Sequence, residues 1–254
     1  MKRIVITGAS GAIGTALAQA YAQSGVVLYL QGRQRPRLEA LAQACRANGA
    51  NVEITELDLR DMDSVRRWGA ALTQHASIDL LIVNAGMNIH VDPLTRCENP
   101  EASADLLTTN LLSAVALVQS VVPAMQQRKQ GQIALISSLA AWRGLPTTPS
   151  YSASKAGLKA YGESLRIALA PDGIQVSVIL PGYVQSAMCD GMPGPKPFVW
   201  TPERAAKAIR HGLSANRGRI RFPFWLSLGS QALACLPDRL AGWMLNRLGY
   251  GVDR

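Results

Sequence analysis

Two rhythms of hydrophobic and polar positions alternate along this chain. Short apolar, β-branched runs at Arg3 to Thr7, Val26 to Gln31, Val52 to Leu57, Leu80 to Asn84, Gln132 to Ser137 and Gln175 to Leu180 predict strands. Between them, Ile13 to Ser24, Arg35 to Asn48, Asp61 to His75, Glu101 to Arg128 and Ser152 to Ala170 space their apolar residues three and four apart. That spacing predicts helices, with a cap at Asp61 and stops at Gly25 and Gly49. Such alternation builds a parallel sheet with helices on both faces, so the expected fold is α/β: a Rossmann-like, doubly wound parallel sheet in one domain. No repeat, linker or composition break interrupts the pattern before about residue 183. Residues 183–200 (YVQSAMCDGMPGPKPFVW) carry too many breakers for either element, and read as a loop that is either a lid or an irregular crossover.

Composition narrows the class. Of 254 residues, 48% are hydrophobic and 17% charged, against an average near 25% charged, which excludes a disordered or fibrous chain. The net charge is +9, but residues 201–254 hold nine Lys/Arg and three Asp/Glu, so +6 of it sits in the last fifth. With no zinc-finger spacing, RNP-like strand or long basic run, no nucleic-acid partner is expected. Cys45, Cys97, Cys189 and Cys235 are 52, 92 and 46 positions apart, which argues against zinc pairing or a disulfide framework and for a reducing, cytoplasmic compartment. Only Ile4 to Ile6 separate Lys2-Arg3 from a Thr-Gly turn, too short for a signal peptide, so the mature protein is expected to start at Met1. His75, His90 and His211 are scattered and no HExxH or EF-hand loop occurs, so no metal is expected.

Chemistry begins at the first strand, which runs through Thr7-Gly8-Ala9-Ser10-Gly11-Ala12-Ile13-Gly14 into a helix. Small residues there let the backbone approach a dinucleotide pyrophosphate, and the helix N-terminus faces its negative charge. The second strand ends at Gln31-Gly32-Arg33, where such a unit reads the adenosine ribose. A carboxylate at this place accepts the 2′-OH of NAD, whereas an arginine receives the 2′-phosphate of NADP. Arg33 therefore predicts NADPH/NADP+ over NAD; the alternative is that Arg33, Arg35 and Arg37 are a solvated start to the next helix. Tyr151 and Lys155 stand four apart on a helix whose stripe is Leu158, Tyr161, Leu165 and Leu169, which sets an ammonium near a phenol. Alone the spacing is weak evidence. Its company is Ser137-Ser138 closing one strand, Asn84-Ala85-Gly86 closing another, and Asn110 in the helix between them.

On these motifs, in this order, the chain from about residue 3 to 222 resembles the short-chain dehydrogenase/reductase family, of the short single-domain kind. The resemblance implies a catalytic set of Asn110, Ser138, Tyr151 and Lys155. It implies a cofactor site of Gly8, Ser10, Gly11, Ile13, Gly14, Arg33, Asp58, Leu59, Asn84, Ala85, Gly86, Pro181, Gly182, Val184 and Ser186, with Tyr151 and Lys155 beside the nicotinamide ribose. Asp58-Leu59 would flank the adenine and the Ser186 hydroxyl would meet the carboxamide. The turn reads TGxxGxxG, a spacing more typical of extended family members, while chain length favours the short kind. In chemical terms, Ser138 would hold a carbonyl oxygen, Tyr151 protonate it, Lys155 and the oxidised nicotinamide lower the phenol's pKa, and Asn110 position a relay water.

After the basic residues from Arg204 to Arg221, Phe222 to Leu236 runs fifteen residues without a charge, followed by Leu240, Trp243, Met244 and Leu248 at helical spacing. Bounded by Pro223 and Pro237, this is too short to span a bilayer. The segment would pack over the substrate pocket, join a subunit interface, or lie on an anionic membrane surface through residues 222–250. Residues 1–222 thus form the NADP-binding catalytic domain with its lid at 183–200, and 223–254 an amphipathic extension of it. Small residues Gly157, Ala160, Gly162 and Ser164 suggest close helix packing in a homodimer or tetramer. The expected activity is NADPH-dependent reduction of a small-molecule ketone or aldehyde, with Trp142, Met188, Met192 and Phe198 offering apolar substrate contacts. Alternatives are a sugar or polyol hydroxyl dehydrogenase and a non-catalytic NADPH-binding regulator.

Overall fold

In the computed structural model, residues 2–74 and 77–251 are described, so His75 and the last three residues of the extension lie outside the description. Seven parallel strands form one sheet: β1 (Lys2–Ile6), β2 (Val26–Gly32), β3 (Asn51–Glu56), β4 (Leu80–Val83), β5 (Gly131–Ile136), β6 (Ile174–Pro181) and β7 (Arg219–Phe222), ordered β3-β2-β1-β4-β5-β6-β7. Alternate side chains of the central strands feed opposite cores. Ile4 and Ile6 of β1 and Leu80 and Ile82 of β4 face one layer, while Val5, Leu81 and Val83 face the other. The first layer is α1 (Ala12–Tyr21), α2 (Arg35–Ala47) and α8 (Pro202–Ser214). The second is α3 (Met62–Gln74), α5 (Ser113–Arg128) and α6 (Pro149–Ala168), with α4 (Pro100–Leu107) leading into α5. A one-turn α7 (Ala187–Asp190) sits in the 183–200 loop, and α9 (Phe224–Ala234) and α10 (Asp238–Arg247) form a C-terminal helical hairpin.

The six expected strands and five expected helices are present, and three details differ. A seventh strand, β7, lies in what reads as a basic stretch: Arg-Ile-Arg-Phe alternates, with Ile220 and Phe222 buried and both arginines exposed. The helix expected from Glu101 to Arg128 is broken by a π-type turn, Thr108–Leu112, that carries Asn110 inward. Although Pro100–Arg128 is long and apolar enough to cross a membrane, Leu106, Leu117, Val118, Val121 and Met125 are buried in the cores. Finally, the small residues of α6 divide between two faces. Gly162 is pressed on β5 and β6 and Gly157 on Leu111, so only Ala160 and Ser164 of the four point outward.

A Cβ on Gly162 would stand 2.6 Å from Val178 Cγ2 and 2.8 Å from Leu135 Cδ1, both in core strands. Gly162→Ala is therefore expected to lower the unfolding free energy in urea by about 1–3 kcal/mol, despite alanine's better helix propensity. A more stable variant would show that the strands give way.

Candidate active site

Strand order reverses between β1 and β4, and the crevice opens at their C-terminal ends. There Asn84 Nδ2 donates to the carbonyls of Thr7 (3.0 Å) and Gly8 (3.1 Å), and Thr7 Oγ1 accepts from the N–H groups of Asn84 and Ala85 (3.0 Å each). The Gly8 N–H is taken by the buried Gln31 side chain at 3.0 Å, whose amide in turn donates to Leu57 O at 2.6 Å. Gly8 is left-handed (φ +61°), and a Cβ on it would stand 2.7 Å from Ala85 Cα. A Cβ on Gly14 would stand 2.8 Å from Ala9 Cα. Gly11, by contrast, meets only Gly8 O at 3.3 Å, so it is the least constrained of the three glycines. Gly11 is the N-cap of α1 and supplies no side-chain cap, so first-turn N–H groups remain for an anion.

One cavity of about 910 Å³ starts at this turn, where Gly8, Ser10, Gly11, Ile13, Arg33 and Arg37 line it. Gly14 lies beneath the turn and does not line it. Arg35 is paired with Glu39 at 2.8 Å, whereas among the described residues Arg33 and Arg37 have no salt bridge. A Cβ at Gly32 would meet Ser10 Oγ at 3.0 Å, so the glycine makes room for that hydroxyl. Asp58 and Leu59 line the same end, but the Asp58 carboxylate is bonded by Arg60 at 2.6 Å, which holds it below the usual carboxylate range. Glycines without room for a Cβ, free arginines and open helix N–H groups fit a dinucleotide.

Further along, Asn84, Ala85, Gly86, Ser138, Tyr151 and Lys155 line the cavity together, followed by Pro181, Gly182, Val184 and Ser186. Ser138 caps the short helical turn Leu139–Ala141, accepting from Ala140 N at 3.1 Å, and its hydroxyl neighbours the Tyr151 phenol closely enough to lower its pKa. Lys155 is buried; its Nζ donates to Ile136 O at 2.9 Å and stands 5.7 Å from the Tyr151 ring centroid. Burial pushes the Tyr151 phenol up from its ordinary value, and the Ser138 hydroxyl only partly offsets this. In the protein alone desolvation sets the direction; the lowering expected from Lys155 together with the oxidised nicotinamide concerns the cofactor-bound protein. Asn110 differs from its expected role as well. It does not line the cavity: Nδ2 donates to Met87 O (2.9 Å) and Ser154 Oγ (3.1 Å) while Oδ1 accepts from Met87 N (2.8 Å). The Ser186 hydroxyl is also engaged, capping α7 at Cys189 N and donating to Val184 O, both at 3.1 Å.

The far wall of the cavity comes from the C-terminal hairpin, through Leu226, Leu233, Met244, Leu245, Leu248 and Tyr250. From the 183–200 loop, Met188 and Met192 line it as expected. Phe198 and Trp142 do not. Phe198 has positive φ (+59°) and is 58% exposed, while the Trp142 ring lies 4.4 Å from Lys159 Nζ and 5.7 Å from Arg219. An apolar side chain in a loop carries no period that tells which way it points. Tyr183, Arg143, His90 and Asn88, which line the cavity, are equally unmarked in the sequence. Arg143 pairs with Asp238 of α10 at 2.7 Å, and Tyr250 donates to Pro195 O at 3.0 Å, tying the hairpin to the cavity's other walls.

A family model described as short chain dehydrogenase matches residues 2–193. An uncharacterized oxidoreductase of Myxococcus xanthus is 34% identical over 247 residues, 96% of each chain. The 11-beta-hydroxysteroid dehydrogenase 1A of Arabidopsis thaliana is 31% identical over 247 residues, covering 89% of this chain and 70% of its own. A solved short-chain dehydrogenase from Sphingobium yanoikuyae in complex with NADPH superposes with a TM-score of 0.82 at 26% identity, covering 94% of this chain and 97% of that one.

Burial lowers Lys155 from 10.5 to about 8. The unfolded chain therefore holds more protons than the folded one between those values, and unfolding free energy rises with pH across that window. Relative to Lys155→Met, the cofactor-free wild type is expected to gain roughly 3 kcal/mol over this range and none below it. Denaturant melts of both proteins at stepped pH measure it; parallel curves throughout would mean that Lys155 titrates normally.

Proposed function

The chain belongs to the short-chain dehydrogenase/reductase family, and on that premise we propose that it is an NADPH-dependent reductase of apolar ketones and aldehydes, working reversibly. The observation that carries this reading is the continuity of one cavity from Arg33 and the glycine turn, past Ser138 and Tyr151, to the apolar wall of α9 and α10. The bound nicotinamide supplies the hydride. Ser138 holds the carbonyl oxygen, and Tyr151 donates its proton to that oxygen as the alcohol forms. A phenol kept protonated by burial is poised as the acid, which suits reduction. Lys155 places its charge beside the phenolate left behind and holds the nicotinamide ribose. Asn110 is a positioning residue: by clasping Met87 it fixes the strand end that faces Lys155 across Gly86.

Arg33 and Arg37, with no carboxylate at the end of β2, support NADPH over NADH, and the NADPH-bound Sphingobium yanoikuyae neighbour agrees with this. Leucines and methionines along the far wall support a bulky apolar substrate over a sugar, as does the relative named for an 11-beta-hydroxysteroid. Four free cysteines accord with a cytoplasmic setting. Assembly as a homodimer or tetramer through the outward face of α6 is supported by exposed Ala160 and Ser164 beside Ile167, which is 79% exposed.

NADPH consumption against ketones of graded size tests the activity: the rate is expected to climb with apolar bulk and to fall about 100- to 10,000-fold in Tyr151→Phe. A variant that keeps more than about a tenth of the turnover removes Tyr151 from proton transfer. For the cofactor, NADPH is expected to bind about 10- to 150-fold more tightly than NADH, a preference that Arg33→Ala levels. Equal affinities in wild type would refute the assignment of Arg33.

A further inference from the structure

The C-terminal hairpin has two apolar faces, and only one of them closes the cavity. Leu226 and Leu233 of α9 and Met244 and Leu245 of α10 point inward. On the outside, Phe224, Trp225, Leu228, Leu240, Trp243 and Leu248 make up six of the twelve exposed large apolar side chains among the described residues. Trp225 is 68% and Trp243 62% exposed. The outer face of α9 continues through Gly229, Ala232 and Cys235 without one charged group. Exposed apolar surface of this extent on a globular protein is a contact surface.

Charge decides what covers it. From residue 221 to 251, Arg221, Arg239 and Arg247 are exposed, and the single acid, Asp238, is neutralised by Arg143. On α10 the arginines share the outward side with Leu240 and Trp243. Among the described residues, two copies meeting through this face would set arginine against arginine with no free carboxylate between them. An anionic bilayer offers the complement: hydrocarbon for the leucines and phenylalanine, an interface for the tryptophans, and phosphates for snorkelling arginines.

We propose that the outer face of the α9–α10 hairpin docks the protein on an anionic membrane surface, with the cavity mouth at that face. Gly229 and Leu248 both line the cavity and are exposed, so the opening lies within the docking surface. A bilayer-dissolved substrate then enters past α9 and α10 without crossing water. The entry route rests on the apolar-substrate reading above, whereas the docking rests on the surface alone.

The full chain is sedimented with phosphatidylcholine vesicles, with and without phosphatidylglycerol, while tryptophan emission is followed. Binding is expected to be roughly 100-fold tighter on the anionic vesicles, to weaken with added salt, and to shift the emission to the blue. Leu228→Glu/Leu240→Glu, at two exposed positions outside the cavity, is expected to weaken binding about tenfold or more. In that variant, turnover of a short water-soluble ketone stays unchanged. Binding that ignores phosphatidylglycerol, or that survives in the double variant, overturns the proposal. So does a protein that ignores both vesicles but forms a concentration-dependent dimer that the double variant breaks, which would give the face to a second copy. Should the variant unfold, the two wild-type arms decide. A protein that binds anionic vesicles yet reduces no ketone keeps the docking and loses the reductase.

Discussion

Everything in this molecule's chemistry depends on how closely the ends of β1 and β4 approach. At the reversal point two crossovers leave in opposite directions, and the backbone after each strand is without a neighbouring strand to bond. Asn84 repairs the gap with its side-chain amide and Thr7 with its hydroxyl. The approach leaves no space for a Cβ at Gly8 or Gly14, so residue size here is set by backbone against backbone. Gln31, at the end of β2, then links the glycine turn to the end of β3, so that four strand ends are fixed as one rim. The rim sets where the cavity begins, and the helix it feeds, α1, presents its N-terminus there.

A second set of buried polar groups carries that rim to the reacting end. Ser137 donates to Lys155 O at 2.7 Å, Lys155 to Ile136 O, and Asn110 bridges Met87 and Ser154. Each is buried, and each group named has a partner, as the cost of an unmet hydrogen bond demands. Burial acts in opposite directions on the two titratable members, raising the phenol and lowering the ammonium. Both shifts favour the neutral forms, a protonated phenol beside a readily uncharged amine. A pair of this kind changes its protonation readily when a further charge arrives beside it, which a site for proton transfer requires.

How much of this was legible in the sequence follows from the range of each interaction. Strands such as Leu80–Val83 announce themselves as short continuous apolar runs and helices such as α6 by local period, and the Tyr151–Lys155 pair is one helical turn. The glycine turn is equally local, which is why its residues and its place before α1 could be read directly. β7 was hidden because four residues with two arginines look like a charged stretch until β6 is beside them. The inward turn of Asn110 depends on a π-type turn that no spacing marks. The cavity's far wall needs Arg143 to reach Asp238 and Tyr250 to reach Pro195, contacts 95 and 55 positions apart. Phe198 and Trp142 were misdirected for the same reason: apolar character in a loop says nothing of direction.

Those long-range ties determine which wall of the cavity yields first. The 183–200 loop is pinned at its base by the pairing of Val184 with Trp200, whose ring stacks on Phe222 at 4.7 Å and sits under Arg204 at 4.1 Å. The floor is sheet. Among the described residues the hairpin is held by one ion pair whose acid is 96% exposed, by the Arg143 bond to Leu236 O, by the Tyr250 latch, by buried Ala241 and Leu245, and by apolar contacts of Leu226 with the Leu139 cluster. An exposed ion pair contributes at most ~1 kcal/mol. Segments with few buried contacts open at the lowest free-energy cost. The same helices that make the pocket apolar are therefore its least secured wall.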